Sequence, residues 1–410
     1  MIRRDLLLAL TGIGGGQILL LIAMPFLARE FGPSAFGTYS VIVSVAGVIA
    51  TIAALRLDFA MISATDRDLP ALTRASFLLP WLVIPIALAL LAFGLSMPYA
   101  DALPFKYEAL PFIGLIALFQ GLGLVGTALG TRLGAFPTVA AMKIVQPFVF
   151  AITALFVIHE LSVAMAIGWL LVFLISLRTL RGIRMFRGWS ESKTAVRQMW
   201  RFPVISMPMA LLNALALVLP VLVIASAFGD QTAGNFSQVQ RLVGAPLMLI
   251  ATASSQVFMK YAGDKLRASQ PVIPLIYKFL SIMSGLSLIT LFAVAAIGQP
   301  VLNFLLGNEW RTDTSFLILV LLPVTFRVVA SPLSSILILA HRIPLLARWQ
   351  ASHFVMTVGT LIAGTRWLEF EGVLIAIAIS DFLMYGIYLF LSVRVAAQSD
   401  KSALTTQLTR

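Results

Sequence analysis

Apolar stretches separated by short polar turns run the length of the chain. Twelve are long enough to count, at approximately 6–28, 38–55, 76–97, 110–130, 139–158, 163–180, 203–228, 237–258, 275–297, 315–339, 346–366 and 373–394. A bilayer's hydrocarbon is crossed by about 20 helical residues, so each stretch predicts one membrane pass. The expected fold is all-α, a polytopic membrane protein of twelve transmembrane helices. Prolines inside the stretches, among them Pro25, Pro80, Pro208, Pro246 and Pro323, are compatible with this, because neighbouring helices or cavity water satisfy the freed carbonyls. The first stretch follows Arg3 and Arg4 as a signal peptide would. Its apolar run is too long for one and no small-residue cleavage site follows, so it reads as a retained helix.

A pattern recurs at a spacing of 197 residues: Phe31-Gly32, four residues, Gly37, one residue, Tyr39-Ser40, then Phe228-Gly229, four residues, Gly234, one residue, Phe236-Ser237. Each copy lies in the turn between the first and second stretch of its half. Six passes per half is an even number, so both halves enter the membrane in the same direction. This predicts two six-helix bundles in a parallel pseudo-repeat. The expected organisation is a first bundle at 1–180, a basic cytoplasmic linker at 181–202, a second bundle at 203–394 and a cytoplasmic tail at 395–410.

Composition sharpens the class. Hydrophobic residues make up 60% of the chain and charged residues 11%, against about 25% charged in soluble domains. With the amino terminus in the cytoplasm, 23 of the 29 basic residues fall in or beside cytoplasmic segments, four fall outside (Arg29, Lys106, Arg311, Arg366) and two lie within spans (Arg241, Arg327). That asymmetry predicts that both termini lie in the cytoplasm and accounts for most of the net charge of +12 without a nucleic-acid partner. The linker, with its arginines around Trp189 and Trp200, is expected to lie on the anionic leaflet.

Catalytic chemistry is poorly served. The chain has no cysteine, and its three histidines (His159, His341, His353) are read as standing beside helix ends and well apart, so no metal centre or cofactor is expected. Walker, HExxH and Ser/His/Asp arrangements are absent from the sequence. The longest external loop, read as Gln299–Thr314, is short for a glycan polymerase or ligase. A transporter is the stronger reading, and a scaffold for glycosyltransferases a further one.

Polar residues at bilayer depth are candidates for function by default. Arg327 lies twelve residues into the tenth stretch, roughly 18 Å along the helix and near the midplane. Ser331, Ser334 and Ser335 follow at helical spacing. A second stripe is Gln238, Arg241, Thr252 and Ser255, a third Asp381, Tyr385, Tyr388 and Ser392, and the second stretch carries Ser40, Ser44 and Thr51, ending at Arg56 and Asp58. Arg327, Arg241, Arg56, Ser331 and Gln238 are therefore candidate substrate contacts. Guanidinium binds phosphate bidentately, while hydroxyl and amide groups exchange hydrogen bonds with sugars. Asp381 and then Asp58 are the candidate ion-coupling acids, with an Arg327–Asp381 pair the alternative structural reading.

The hairpin LAREFGPSAFGTYS (Leu27–Ser40) after Pro25, the segment LRLDFAM (Leu55–Met61) and AGNFSQVQRLVGAPLMLIATASSQVF (Ala233–Phe258) resemble polysaccharide and O-antigen flippases of the multidrug/oligosaccharidyl-lipid/polysaccharide exporter superfamily. The resemblance implies alternating-access flipping of an undecaprenyl-diphosphate-linked oligosaccharide, with membrane lipids and other polysaccharide-assembly membrane proteins as partners. A multidrug exporter of the same fold is the near rival.

Overall fold

A computed structural model describes residues 2–98, 103–181, 197–268, 270–340 and 342–408. Most of the basic linker, with Arg184, Arg187, Trp189 and Lys193, and also His341, lies outside the described residues. The described chain is helical and forms two compact units, Met1–Gly234 and Asn235–Arg410.

In the first unit, α1 (Ile2–Ile52) contains both of the first two passes. They meet at Gly32, whose φ of 69° and ψ of 174° break the helix. Only glycine adopts that conformation readily, and Pro33 then starts the second segment where a missing N–H costs nothing. A short turn leads to α2 (Leu57–Ser63), followed by α3 (Leu69–Leu95), α4 (Leu110–Arg132), α5 (Phe136–Phe156), α6 (Leu161–Ser176) and α7 (Met207–Phe228). After α7, Gly229 repeats the conformation of Gly32, with φ 82° and ψ 167°, and α8 (Asp230–Val239) begins.

The two copies of the repeated pattern touch each other. A Cβ on Gly37 would collide with the backbone carbonyl of Asp230, and a Cβ on Gly234 with that of Pro33. Pro33 and Asp230 are themselves equivalent at the 197-residue spacing, so the contact is reciprocal. Thr38 Oγ1 donates to the Asp230 carboxylate at 2.9 Å across it. Below the crossing, Tyr39 stacks on Phe150 of α5 with ring centroids 5.5 Å apart. Small residues also let α4 approach its neighbours, Gly121 facing Ala53 and Gly126 facing Ser176.

The second unit continues from α8 through a π-turn at Gln240–Gly244 into α9 (Ala245–Arg267). Then come α10 (Ile273–Ala293), α11 (Gln299–Leu306), α12 (Thr314–Ala330), α13 (Ser334–Leu339), α14 (Ile343–Trp367) and α15 (Phe370–Leu408). One expectation changes here. The loop read as Gln299–Thr314 is helical through Leu306, because the apolar residues Val301, Leu302 and Leu306 carry the preceding helix onward. α15 runs through residue 408, and its buried Asp400 accepts from the N–H groups of Val272 (2.8 Å) and Ile273 (3.1 Å) at the start of α10.

Nine helices among the described residues are long and apolar enough to cross a membrane. α1 supplies two passes on either side of Gly32, and α12 with α13, and α14, supply the remaining two, giving the expected twelve. α14 carries Arg348, His353 and Arg366, which lower its hydropathy. Outward-facing positions on α3 are Leu78, Leu82, Ile86, Leu90 and Phe93, an apolar stripe suited to lipid.

The crossing yields a first prediction. Gly37→Ala or Gly234→Ala should each destabilise the folded protein by about 1–3 kcal/mol or more, because backbone rather than a flexible side chain is in the way. Gly47→Ala, which meets open space, should be neutral or slightly stabilising. Thermal unfolding in detergent compares the three, and equal melting temperatures would dismiss the contact as a constraint.

Candidate functional site

Three helices of the second unit converge on a buried polar cluster. Arg327 projects from α12 one turn after Pro323, and its Nε donates to the Tyr385 hydroxyl at 3.1 Å. Its Nη2 lies 3.8 Å from Asp381 Oδ2. Tyr385 and Asp381 are one turn apart on α15, the spacing that puts both on one face. Asp381 is only 5% exposed, and its other oxygen is 3.0 Å from His353 Nε2 on α14. Trp349 lies flat against His353, ring centroids 5.2 Å apart and planes 7° from parallel, and its indole N–H donates to the Met384 carbonyl at 2.9 Å. One carboxylate thus serves a guanidinium and an imidazole.

The sequence reading brings Arg327 and Asp381 together correctly as partners, but misplaces His353. It stands ten residues into α14, buried, and not beside a helix end. The signal was its position within the eleventh apolar stretch, one turn from Trp349 and Thr357. The serine stripe is also interrupted, because α12 stops at Ala330 and Ser331–Leu333 form a 3₁₀ turn around Pro332, which has no N–H to continue the helix. The side chains of Ser331, Ser334 and Ser335 lie outside the described residues. Gln238 is fully buried in α8, and Arg241 sits in the π-turn that Pro246 follows.

Arg56 and Asp58 belong to the first unit, Arg56 at the N-cap of α2 and Asp58 in its first turn. Arg56 takes φ 63° and lies over the Phe59 ring at 3.7 Å. Burial pushes the Asp58 carboxyl above the ordinary carboxylate range, partly offset by Arg56 and the Phe59 N–H.

A pocket of about 340 Å³ in the first unit escaped the sequence reading. Gln17 of α1, Thr127 of α4, Lys143 and Gln146 of α5 and Trp169 of α6 line it. The sequence groups Lys143 with the cytoplasmic basic residues, whereas it stands two turns into α5 and has no ion pair among the described residues. Glycines set the walls: a Cβ on Gly16 would strike the Lys143 carbonyl, and one on Gly168 would come within 2.9 Å of the Gln146 carbonyl. The pocket offers one cation, two amides, a hydroxyl and an indole.

This architecture is that of known membrane transporters. The chain matches the lipid II flippase MurJ in an inward closed conformation with a TM-score of 0.71 at 14% identity, covering 98% of this chain and 93% of that one. It matches a multidrug resistance MATE family transporter of the MOP superfamily, inward-facing, with a TM-score of 0.61 at 11% identity, covering 94% of this chain and 96% of that one. No curated protein matches it in sequence. A family profile described as polysaccharide biosynthesis protein matches residues 26–314, and the chain belongs to that family.

Removing one member of a buried charge pair strands the other, at a typical cost of about 3–5 kcal/mol. Asp381→Asn should therefore destabilise the protein toward the lower end of that range, since Arg327 keeps Tyr385 and part of its surface is exposed. Arg327→Leu combined with Asp381→Leu should recover most of the loss. Denaturant titration of single and double variants measures the coupling, and purely additive effects would mean that the pair is not a unit.

Proposed function

We propose that the protein is a flippase that carries an undecaprenyl-diphosphate-linked oligosaccharide, an O-antigen or exopolysaccharide repeat unit, across the bacterial inner membrane by alternating access. Both termini are taken as cytoplasmic, and residues 1–180 and 203–394 as the two repeats joined by the 181–202 linker. The observation that carries the reading is Lys143: an unpaired cation at membrane depth, among groups that suit a saccharide. An uncompensated charge there is costly unless a ligand supplies the counter-charge. Amides and hydroxyls match sugar hydroxyls, an indole face matches sugar C–H groups, and an ammonium matches phosphate or an acidic sugar. Family membership in polysaccharide biosynthesis and a fold shared with a lipid-linked-substrate flippase support the same cargo class.

In this reading Arg327 exchanges Asp381 for the cargo's diphosphate, with Arg241, Arg56, Ser331 and Gln238 as further contacts. Asp381, hydrogen-bonded to His353, takes up the coupling proton or cation, and Asp58 is the second candidate. Multidrug export is the competing reading, favoured by the MATE fold match.

Depletion of the protein should cause lipid-linked glycans to build up on the cytoplasmic leaflet, as read by mass spectrometry of extracted lipids. Lys143→Met and Arg327→Ala should reproduce that build-up at normal protein levels. Arg327→Lys should restore export in part, because a point charge replaces the planar fork. Drug sensitivity without glycan accumulation would hand the function to the exporter reading.

A further inference from the structure

The lipid-facing surface of α15 ends in a basic cleft. Leu383, Ile387 and Phe390 are exposed at spacings of four and three residues, and Arg394 follows one turn later on the same face. From Leu383 to Arg394 is about 16 Å of helix, close to the ~15 Å of hydrocarbon in one leaflet. Arg394 and Gln398 of α15 face Arg342 and Arg348 at the start of α14 across a cleft of about 480 Å³, with Leu345 and Val395 as apolar walls. None of the three guanidiniums has an ion pair among the described residues, and all three are exposed. The next acid along α15, Asp400, is buried and committed to the N–H groups of Val272 and Ile273.

An apolar stripe that ends, one leaflet from its start, at uncompensated guanidiniums has the polarity of a lipid, tail first and head group last. We propose that this cleft binds a membrane lipid carrying two phosphates. One phosphate occupies one bidentate guanidinium fork, so three arginines spread over a cleft of this size are matched by a paired head group rather than by a single phosphate. The acyl or prenyl chain lies along Leu383, Ile387 and Phe390. Two lipids have this chemistry, a cardiolipin of the bilayer and a polyprenyl diphosphate, and the site does not rest on the transport reading above.

Native mass spectrometry of the full chain, titrated separately with cardiolipin, undecaprenyl diphosphate, phosphatidylglycerol and phosphatidylcholine, tests it. At least one of the two-phosphate lipids should bind at least about ten-fold more tightly than phosphatidylcholine, with phosphatidylglycerol between. Each arginine near the surface contributes about a five-fold effect, so Arg348→Gln combined with Arg394→Gln should weaken two-phosphate binding about thirty-fold. Arg178→Gln combined with Arg181→Gln, in the first unit, should leave it unchanged and shows that the loss is not one of net charge. Tight binding of cardiolipin alone assigns the site to a bilayer lipid, and of undecaprenyl diphosphate alone to a lipid carrier. Equal affinity for phosphatidylcholine, or two-phosphate binding that survives the double substitution in a Lys143→Met, Arg327→Ala background of unchanged melting temperature, overturns the proposal.

Discussion

Backbone meets backbone where the two copies of the repeated pattern cross, and that contact admits no side chain on either strand of the crossing. Gly37 lies against the Asp230 carbonyl and Gly234 against that of Pro33. Close approach of this kind is how helices associate in lipid, where burying apolar surface brings no gain and packing must supply the attraction. The same two segments owe their direction to Gly32 and Gly229, whose shared conformation turns each chain from one pass into the next. Around this seam the other contacts of the first unit are arranged, from Tyr39 on Phe150 to the glycine face of α4.

Charge within the bilayer is handled in two opposite ways. In the second unit Arg327, Asp381, His353 and Tyr385 satisfy one another, so their burial is compensated internally. In the first unit Lys143 stands among neutral polar groups with no counter-charge among the described residues. A compensated cluster is suited to changing partners, because every member already has one. An uncompensated cation is suited to receiving an anion from outside the chain.

Hydropathy made the membrane passes legible, since a span is defined by length and composition that a sequence displays directly. Repetition of Phe-Gly and Gly at fixed spacing made the paired turns legible too, because glycine marks backbone that a side chain would disturb. Lateral neighbours were harder to read. Arg327 and Asp381 could be paired because they are so few, an argument from scarcity and not from geometry. His353 and Lys143 went unrecognised because each was judged against its distance from a polar turn, while their surroundings are set by helices remote in sequence: α15 for the histidine, α1 and α6 for the lysine. The helical run Gln299–Leu306 was missed because a glutamine and a proline mimic the start of a loop, although proline is equally at home in a helix's first turn.

α15 carries Asp381, Tyr385 and Asp400 on one unbroken helix. From Asp381 to Asp400 is about 28 Å along the axis, and nothing in between acts as a hinge. At one end the helix is tied to Arg327 and His353, at the other to the first turn of α10. It is therefore a lever as well as a wall. An axial slide or twist at Asp381 would act along one continuous helix on the amino end of α10, a membrane's width away, without a chain of intermediate side chains to carry it.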